Sequence, residues 1–328
     1  MTVYKVAPTS FDNLETYPLA SRPSKVGLGQ LAHAHKRGAS FRRFFDSLPS
    51  ILGARDLREL RDRIVRAKAQ RRRILWGVGG HVIKVGLGPV LIDLIERGYV
   101  SGIAMNGAAM IHDFEIGLAG GTSEDVEAGL GEGKFGMAEE TGRYLNEAAE
   151  AARSRGAGLG ELVGEVLVSR RLRAKHLESS VLACAYRSRV PVTVHVAIGT
   201  DITHMHRTAS GAALGSATHH DFRLFCALVK QMHPGGIYLN WGSAVLLPEV
   251  FLKAVTIARN LGAPLSGIAT ANFDFIQHYR PLQNVVKRPT AAAGRGSKGY
   301  VFTGHHEIMM PLLAAGIIEA SAGRGGRR

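Results

Sequence analysis

The chain of 328 residues carries 41 Lys and Arg against 27 Asp and Glu, a formal net charge of +14, with 45% hydrophobic and 21% charged residues. That balance excludes an intrinsically disordered chain and leaves ample apolar material for one large α/β unit or two ordinary domains. It offers no run of roughly 18 uncharged apolar residues and no apolar signal core after Met1, so a cytoplasmic protein without a membrane span is expected.

Residues 1–35 are nearly neutral, at +1, whereas residues 36–73 hold 13 basic and 4 acidic residues. Within that block, Leu57, Leu60, Ile64 and Ala67 recur at helical spacing with Arg between them, predicting a helix over 54–73 with a solvated cationic face. No aromatic interleaving or zinc spacing accompanies the arginines, so nucleic acid is not the expected partner. The central block, 74–278, sums to −2 and residues 279–328 to +6, which makes the positive charge peripheral. Residues 1–73 therefore read as a basic extension packing helices on a core domain of 74–318, and 319–328 as a disordered Gly/Arg tail.

From Ile74 onward short apolar runs alternate with helical patterns, the signature of a doubly wound, mainly parallel sheet with helices on both faces, Rossmann-like in class. Strands are predicted over 74–78, 100–105, 190–198, 236–240 and 265–271. Helices are predicted over 89–97, 138–153, 176–188, 219–232 and 248–261. Cys184 and Cys226 lie in such helical patterns and read as reduced, buried thiols.

Ligands of doubly wound sheets sit outside the carboxyl ends of the strands. Those ends carry Gly77-Val-Gly79-Gly80-His81, Asn106-Gly107, Gly199-Thr200-Asp201, Asn240-Trp241-Gly242-Ser243 and Thr270-Ala271-Asn272. Small residues let backbone amides approach a phosphate, and Asp201 suits a ribose hydroxyl, so a nucleotide is the ligand these ends favour. The pairs His204/His206, His219/His220 and His305/His306 raise the question of zinc, but no H-E-x-x-H, cysteine pair or carboxylate-rich turn completes a site, and no metal is expected.

The run from Gly80 to Asn106 followed by Ile111-His-Asp-Phe-Glu115, with 191–201, 236–243 and 268–274 in the same order, resembles the deoxyhypusine synthase family, most closely its bacterial deoxyhypusine synthase-like branch. The resemblance spans roughly residues 74 to 315. It implies a Rossmann-like fold assembled as a homotetramer, with NAD and a polyamine held at a dimer interface and an imine-forming lysine in the site. Carried over by position, the family's NAD contacts fall on His81 to Gly86, including Lys84, on Asn106 to Asp113, on Thr200 and Asp201, on Asn240 to Ser243, and on Thr270 and Ala271. Gly79 and Gly80 join that set as the turn after the first strand. His204, His206, Trp241 and Asp274 are the expected substrate contacts.

The family's catalytic lysine position falls on His305. An imidazole cannot form the imine a lysine amine forms, so deoxyhypusine synthesis itself is not expected unless Lys84, Lys287 or Lys298 enters from another loop. His305 and His306 are the expected acid/base pair, Asp113 or Glu115 is expected to bind a ribose or steady a cation, and 294–299, with Arg295 and Lys298, reads as a mobile lid or a disordered linker. The resulting expectation is an oligomeric NAD-dependent transferase or oxidoreductase acting on a small amine or amino-acid-like substrate. The alternative is a non-catalytic nucleotide-binding sensor or scaffold with basic partner-binding segments.

Overall fold

The fold is described for residues 3–322 of a computed structural model. Six strands form one sheet: β1 (Ile74–Val78), β2 (Gly102–Asn106), β3 (Val192–His195), β4 (Ile237–Trp241), β5 (Ala269–Asp274) and β6 (Lys298–Thr303). Every pairing is parallel and the order is β3-β2-β1-β4-β5-β6. The winding direction therefore reverses between β1 and β4, where Gly77 pairs with Asn240 and Val78 with Trp241.

Alternation along the strands builds two cores. Ile74, Trp76 and Val78, with Ile103, Met105, Leu239, Trp241 and Phe273, face one layer of helices. Leu75, Ala104 and Tyr238 face the other, where Phe251, Val255 and Phe225 meet them. A sheet buried on both faces needs near-continuous apolar strands, which is why the strand runs stand out in the sequence.

The predicted helix near the start runs Leu52–Ala69 and buries Leu57, Leu60, Ile64 and Ala67, so its apolar stripe belongs to the main core. Ahead of it, residues 3–40 hold only the short turns Leu19–Ser21 and Leu28–Gln30, and Phe11, Leu14, Tyr17 and Leu28 lie exposed. The chain joins the packed body at the helix Phe41–Ser47, whose Phe45 lies so close to Gly316 that a Cβ there would meet the ring at 2.7 Å.

Several boundaries move. The helix expected over 219–232 begins at Gly211, and helices Gly107–Ala119 and Leu159–Val168 were not anticipated. Strand β5 starts at Ala269 because Leu265, at φ +57°, and Gly267, at φ +71°, turn the chain before it. The stretch expected as a lid or linker closes into β6 from Lys298, where Lys298 Nζ meets Asp56 Oδ1 at 3.0 Å and Glu59 Oε2 at 2.5 Å. Residues 319–322, placed in the tail by composition, end the helix His306–Ala322; the rest of that tail, 323–328, lies outside the described residues. Both cysteines are free and buried.

Candidate functional site

Two groups of polar side chains gather at the carboxyl ends of the strands. The first lies at the reversal between β1 and β4, and it is closed. Gly79 N–H donates to Trp241 O at 2.9 Å, and a Cβ on Gly79 would stand 2.2 Å from Gly242 O, so the two turns touch backbone to backbone. Gly242, at φ +64°, carries His306 against it, and a Cβ there would meet that ring at 2.8 Å.

His306 is fully buried and its nitrogens are both engaged. Nε2 donates to Phe273 O at 3.1 Å, which leaves Nδ1 as the acceptor of the His81 Nδ1–H at 3.0 Å. Burial, ahead of all else, holds its pKa below the ordinary imidazole value. His306 therefore touches no open space and acts on His81, whereas the expectation made it an acid/base group. His305 points outward, 65% exposed, and stacks on Phe275 at 5.9 Å.

Other predicted contacts at this end are structural. Trp241 has no exposure and lies stacked between Trp76 and Phe273, which removes it from any substrate. Asn240 donates its amide N–H groups to Ser243 O and Asn272 Oδ1, with its own Oδ1 buried and unpaired, and Ser243 Oγ accepts from Leu247 N–H to start the next helix. Thr270 and Ala271 sit in mid-strand without exposure, four and three residues before the end of β5. Asp274 does reach that end, but it is buried, and its Oδ1 accepts from the Phe275 N–H.

The second group lines a cavity of about 510 Å³ outside β2 and β3. Lys84, His112, Glu115, Thr122, Glu124, Thr200 and Asp201 are among the residues that line it. The helix Gly107–Ala119 supplies Ala108, Ile111, His112 and Glu115 to its wall. Asn106 caps that helix by accepting from Ala109 N–H, so it is spent on folding. Gly107 is required because a Cβ would lie 1.9 Å from Asp201 Oδ2.

Asp201 is the unsatisfied member. Its side chain is 9% exposed, Oδ2 has no hydrogen-bond partner, and burial pushes its pKa up to about 6. His204 stands 3.8 Å away, its Nδ1 accepting from the Gly199 and Asp201 N–H groups, which fixes the proton on Nε2, facing Oδ2. Nε2 also lacks a partner. A buried carboxylate oxygen without a donor costs free energy until a hydroxyl or ammonium supplies one. His206, by contrast, is a packing piece: its ring fills the space a Cβ on Gly142 would occupy and its Nε2 bonds Gly136 O at 2.9 Å.

His112, which sequence reasoning covered only within the span Asn106 to Asp113 and did not single out, is a further member of this group. Its Nδ1 lies 2.8 Å from Thr122 Oγ1, and Thr122 gives its only hydroxyl proton to Glu115 Oε2 at 2.5 Å. Thr141 Oγ1 donates to the other Glu115 oxygen at 3.0 Å. Spacing of three on one helix places His112 and Glu115 on the same face, while Asp113 turns away. Asp113 is wholly buried and accepts from Ser180 Oγ and from the Val181 and Leu182 N–H groups, capping helix Val181–Arg187; burial raises its pKa to about 6. It binds no ribose.

Among the described residues no group of three or more His, Cys, Asp or Glu is placed to hold a metal ion, and no helix is long and apolar enough to cross a membrane.

No family model and no curated protein matches the sequence. Among solved structures, a provisionally assigned deoxyhypusine synthase from Entamoeba histolytica aligns with 88% of this chain and 97% of its own, at TM-score 0.52 and 11% identity. The fold is deoxyhypusine synthase-like. Apo ArgZ, a cyanobacterial arginine dihydrolase, aligns with 82% of the chain at TM-score 0.48 and 14% identity, and AgrE in its ternary complex with ornithine and NAD+ with 84% at 0.49 and 12%. The chain spans about a third of the length of each of these two.

Proposed function

We propose that this deoxyhypusine synthase-like chain is an NAD-linked enzyme of a small amine or amino-acid-like substrate, with the cavity outside β2 and β3 as its site. The observation that carries the reading is Asp201: a buried carboxylate oxygen left without a donor, on the wall of a ligand-sized cavity, at the end of a doubly wound sheet. The Asp201 carboxylate, as part of that wall, is the group proposed to receive a ribose hydroxyl. Thr200 and Lys84 share the cavity, and Lys84, with no carboxylate within 4.0 Å among the described residues, suits a phosphate. Gly79, Gly80 and Gly242 do not serve as a phosphate cradle here, because their turns are pressed against each other, against Ala108 and against His306.

Bound NAD supplies the hydride acceptor for a carbon that bears nitrogen. This chain's residues supply orientation and charge. Covalent aminobutyl transfer is not part of the proposal. His305 occupies the lysine position, Lys298 is tied to Asp56 and Glu59, and Lys84, the lysine that does line the cavity, is assigned to a phosphate. The chain is proposed to work as a homo-oligomer, a tetramer, in the cytoplasm.

The test is a titration of purified protein with NAD by calorimetry, followed by absorbance at 340 nm across diamines, amino acids and alcohols. Saturable binding that Asp201→Ala weakens at least tenfold, with NADH formed from one amine, is expected. Binding without reduction across the panel favours the sensor reading; no binding at all removes both.

A further inference from the structure

We propose that His112 is the proton acceptor of this cavity, held in its working tautomer by Thr122 and Glu115, and that the proton it takes is one from the ammonium group of the substrate. The inference rests on the amine-enzyme reading above and adds the residue that makes the amine reactive.

One proton decides the tautomer. Glu115 is an acceptor on both oxygens, and Thr122 has a single O–H, which points to Glu115 Oε2. The contact between Thr122 Oγ1 and His112 Nδ1 at 2.8 Å can then only be an N–H donated by the ring. With Nδ1 protonated, the neutral ring carries its lone pair on Nε2. That atom has no hydrogen-bond partner among the described residues, and His112 faces the cavity. Gly80 makes room for this placement: a Cβ there would meet Ala108 Cβ at 2.9 Å and His112 Cδ2 at 3.4 Å.

Electrostatics agree with a base. Burial first, with Lys84 in support, keeps the His112 pKa below the ordinary value, so the ring is neutral at pH 7, while Glu115 pulls in the opposite direction. A positive charge arriving on the ring is therefore met, through Thr122, by a carboxylate already in line. This is the logic of a base oriented by a third group. In the step itself, an ammonium N–H bond breaks and an N–H bond forms at Nε2. The nitrogen lone pair left behind is what a carbon–nitrogen double bond would require if NAD, held in the cavity, were to take a hydride from the adjacent carbon. One proton and one hydride are removed, and both have a destination.

Lys84, Glu115, Glu124 and Asp201 are the other charged groups facing the cavity, with His204 behind Asp201. Only Glu115 is joined to the ring through a hydrogen-bonded chain, which makes it the variant to test. Nitrogen-15 imidazole spectra of the full-length protein should show His112 as the Nδ1–H tautomer at pH 7, titrating below 6.5, and Glu115→Gln should move that titration lower still. In turnover, His112→Asn should lower kcat on the order of 10²- to 10⁴-fold while NAD affinity stays within about twofold. An Nε2–H tautomer, or a His112 titration indifferent to Glu115→Gln, overturns the proposal, as does full turnover in His112→Asn. Failure of the wild-type protein to bind NAD overturns the enzyme reading instead and leaves the tautomer measurement standing.

Discussion

His112, after β2, and His306, after β6, both stand on the carboxyl side of the sheet and each is held by a second residue, yet they belong to opposite kinds of environment. Around His306 the backbone of Gly79 and Gly242 is in contact and both ring nitrogens are used. Around His112 one nitrogen is used and the other is free, beside a cavity whose wall includes Asp201. The difference teaches that a titratable group serves chemistry through the valence that folding leaves over. Substitutions in the closed region should cost stability, and those in the open region should cost function.

The severest way to test that contrast is Gly79→Ala. The new methyl meets a carbonyl oxygen at 2.2 Å with backbone on both sides, so at least about 4 kcal/mol should be lost, seen as failure to express folded protein or a collapsed urea midpoint. Next, His306→Ala should cost about 2–3 kcal/mol in urea denaturation, through the emptied space and the lost bonds to Phe273 and His81, against under about 1 kcal/mol for His112→Ala. If the two were equal, the distinction between the regions would fail.

Asp201→Asn should act with the opposite sign. A carboxyl whose pKa rises from 3.8 to about 6 on folding favours the fold fully below pH 3.8 and loses that contribution as pH climbs through 6. Asparagine stays neutral, so the variant should be more stable than wild type by up to about 3 kcal/mol at pH 8, with the gain gone below pH 4. Melting temperatures across that range check it. Asp113 and Asp221, pushed by burial to about 6 and about 7, shift stability in the same direction but cancel in the comparison, since both proteins keep them. The smallest expected effect is that of Thr122→Val: under about 1 kcal/mol by denaturation, with the Nδ1–H tautomer of His112 lost in the nitrogen-15 spectrum.

The sheet was legible in the sequence because strands buried on both faces must be apolar throughout; β1 matches its predicted bounds of 74–78. β6 was missed because the glycines and charges of 294–299 obscured an alternation in which Tyr300 and Phe302 point inward and Val301 and Thr303 outward. The misplacement of Thr270 and Ala271 has a similar origin: the run from Leu265 was read as the strand, although positive φ at Leu265 and Gly267 delays β5 until Ala269. His112 was not picked out because helix Gly107–Ala119 is apolar nearly all round and begins with glycine, so no stripe marked the face it shares with Glu115. Asp201 was legible by position, from its place after β3, but its unpaired oxygen is a property of the packed state alone.

One contact between the ends of the chain bears on where the protein can be shortened. Glu59, on the basic helix, receives Lys298 Nζ and Tyr300 OH from β6, and Arg63 lies 5.9 Å from the Tyr300 ring. Removing residues up to 73 would strip the cover from Tyr300 and Phe302 and leave an apolar strand face in water, a surface on which unfolded or partly folded copies associate. Proteases working inward from the N-terminus should degrade 3–40 readily and stall at Phe41, where Phe45 is locked beside Gly316. The smallest autonomous unit of this protein therefore begins more than thirty residues before its first strand.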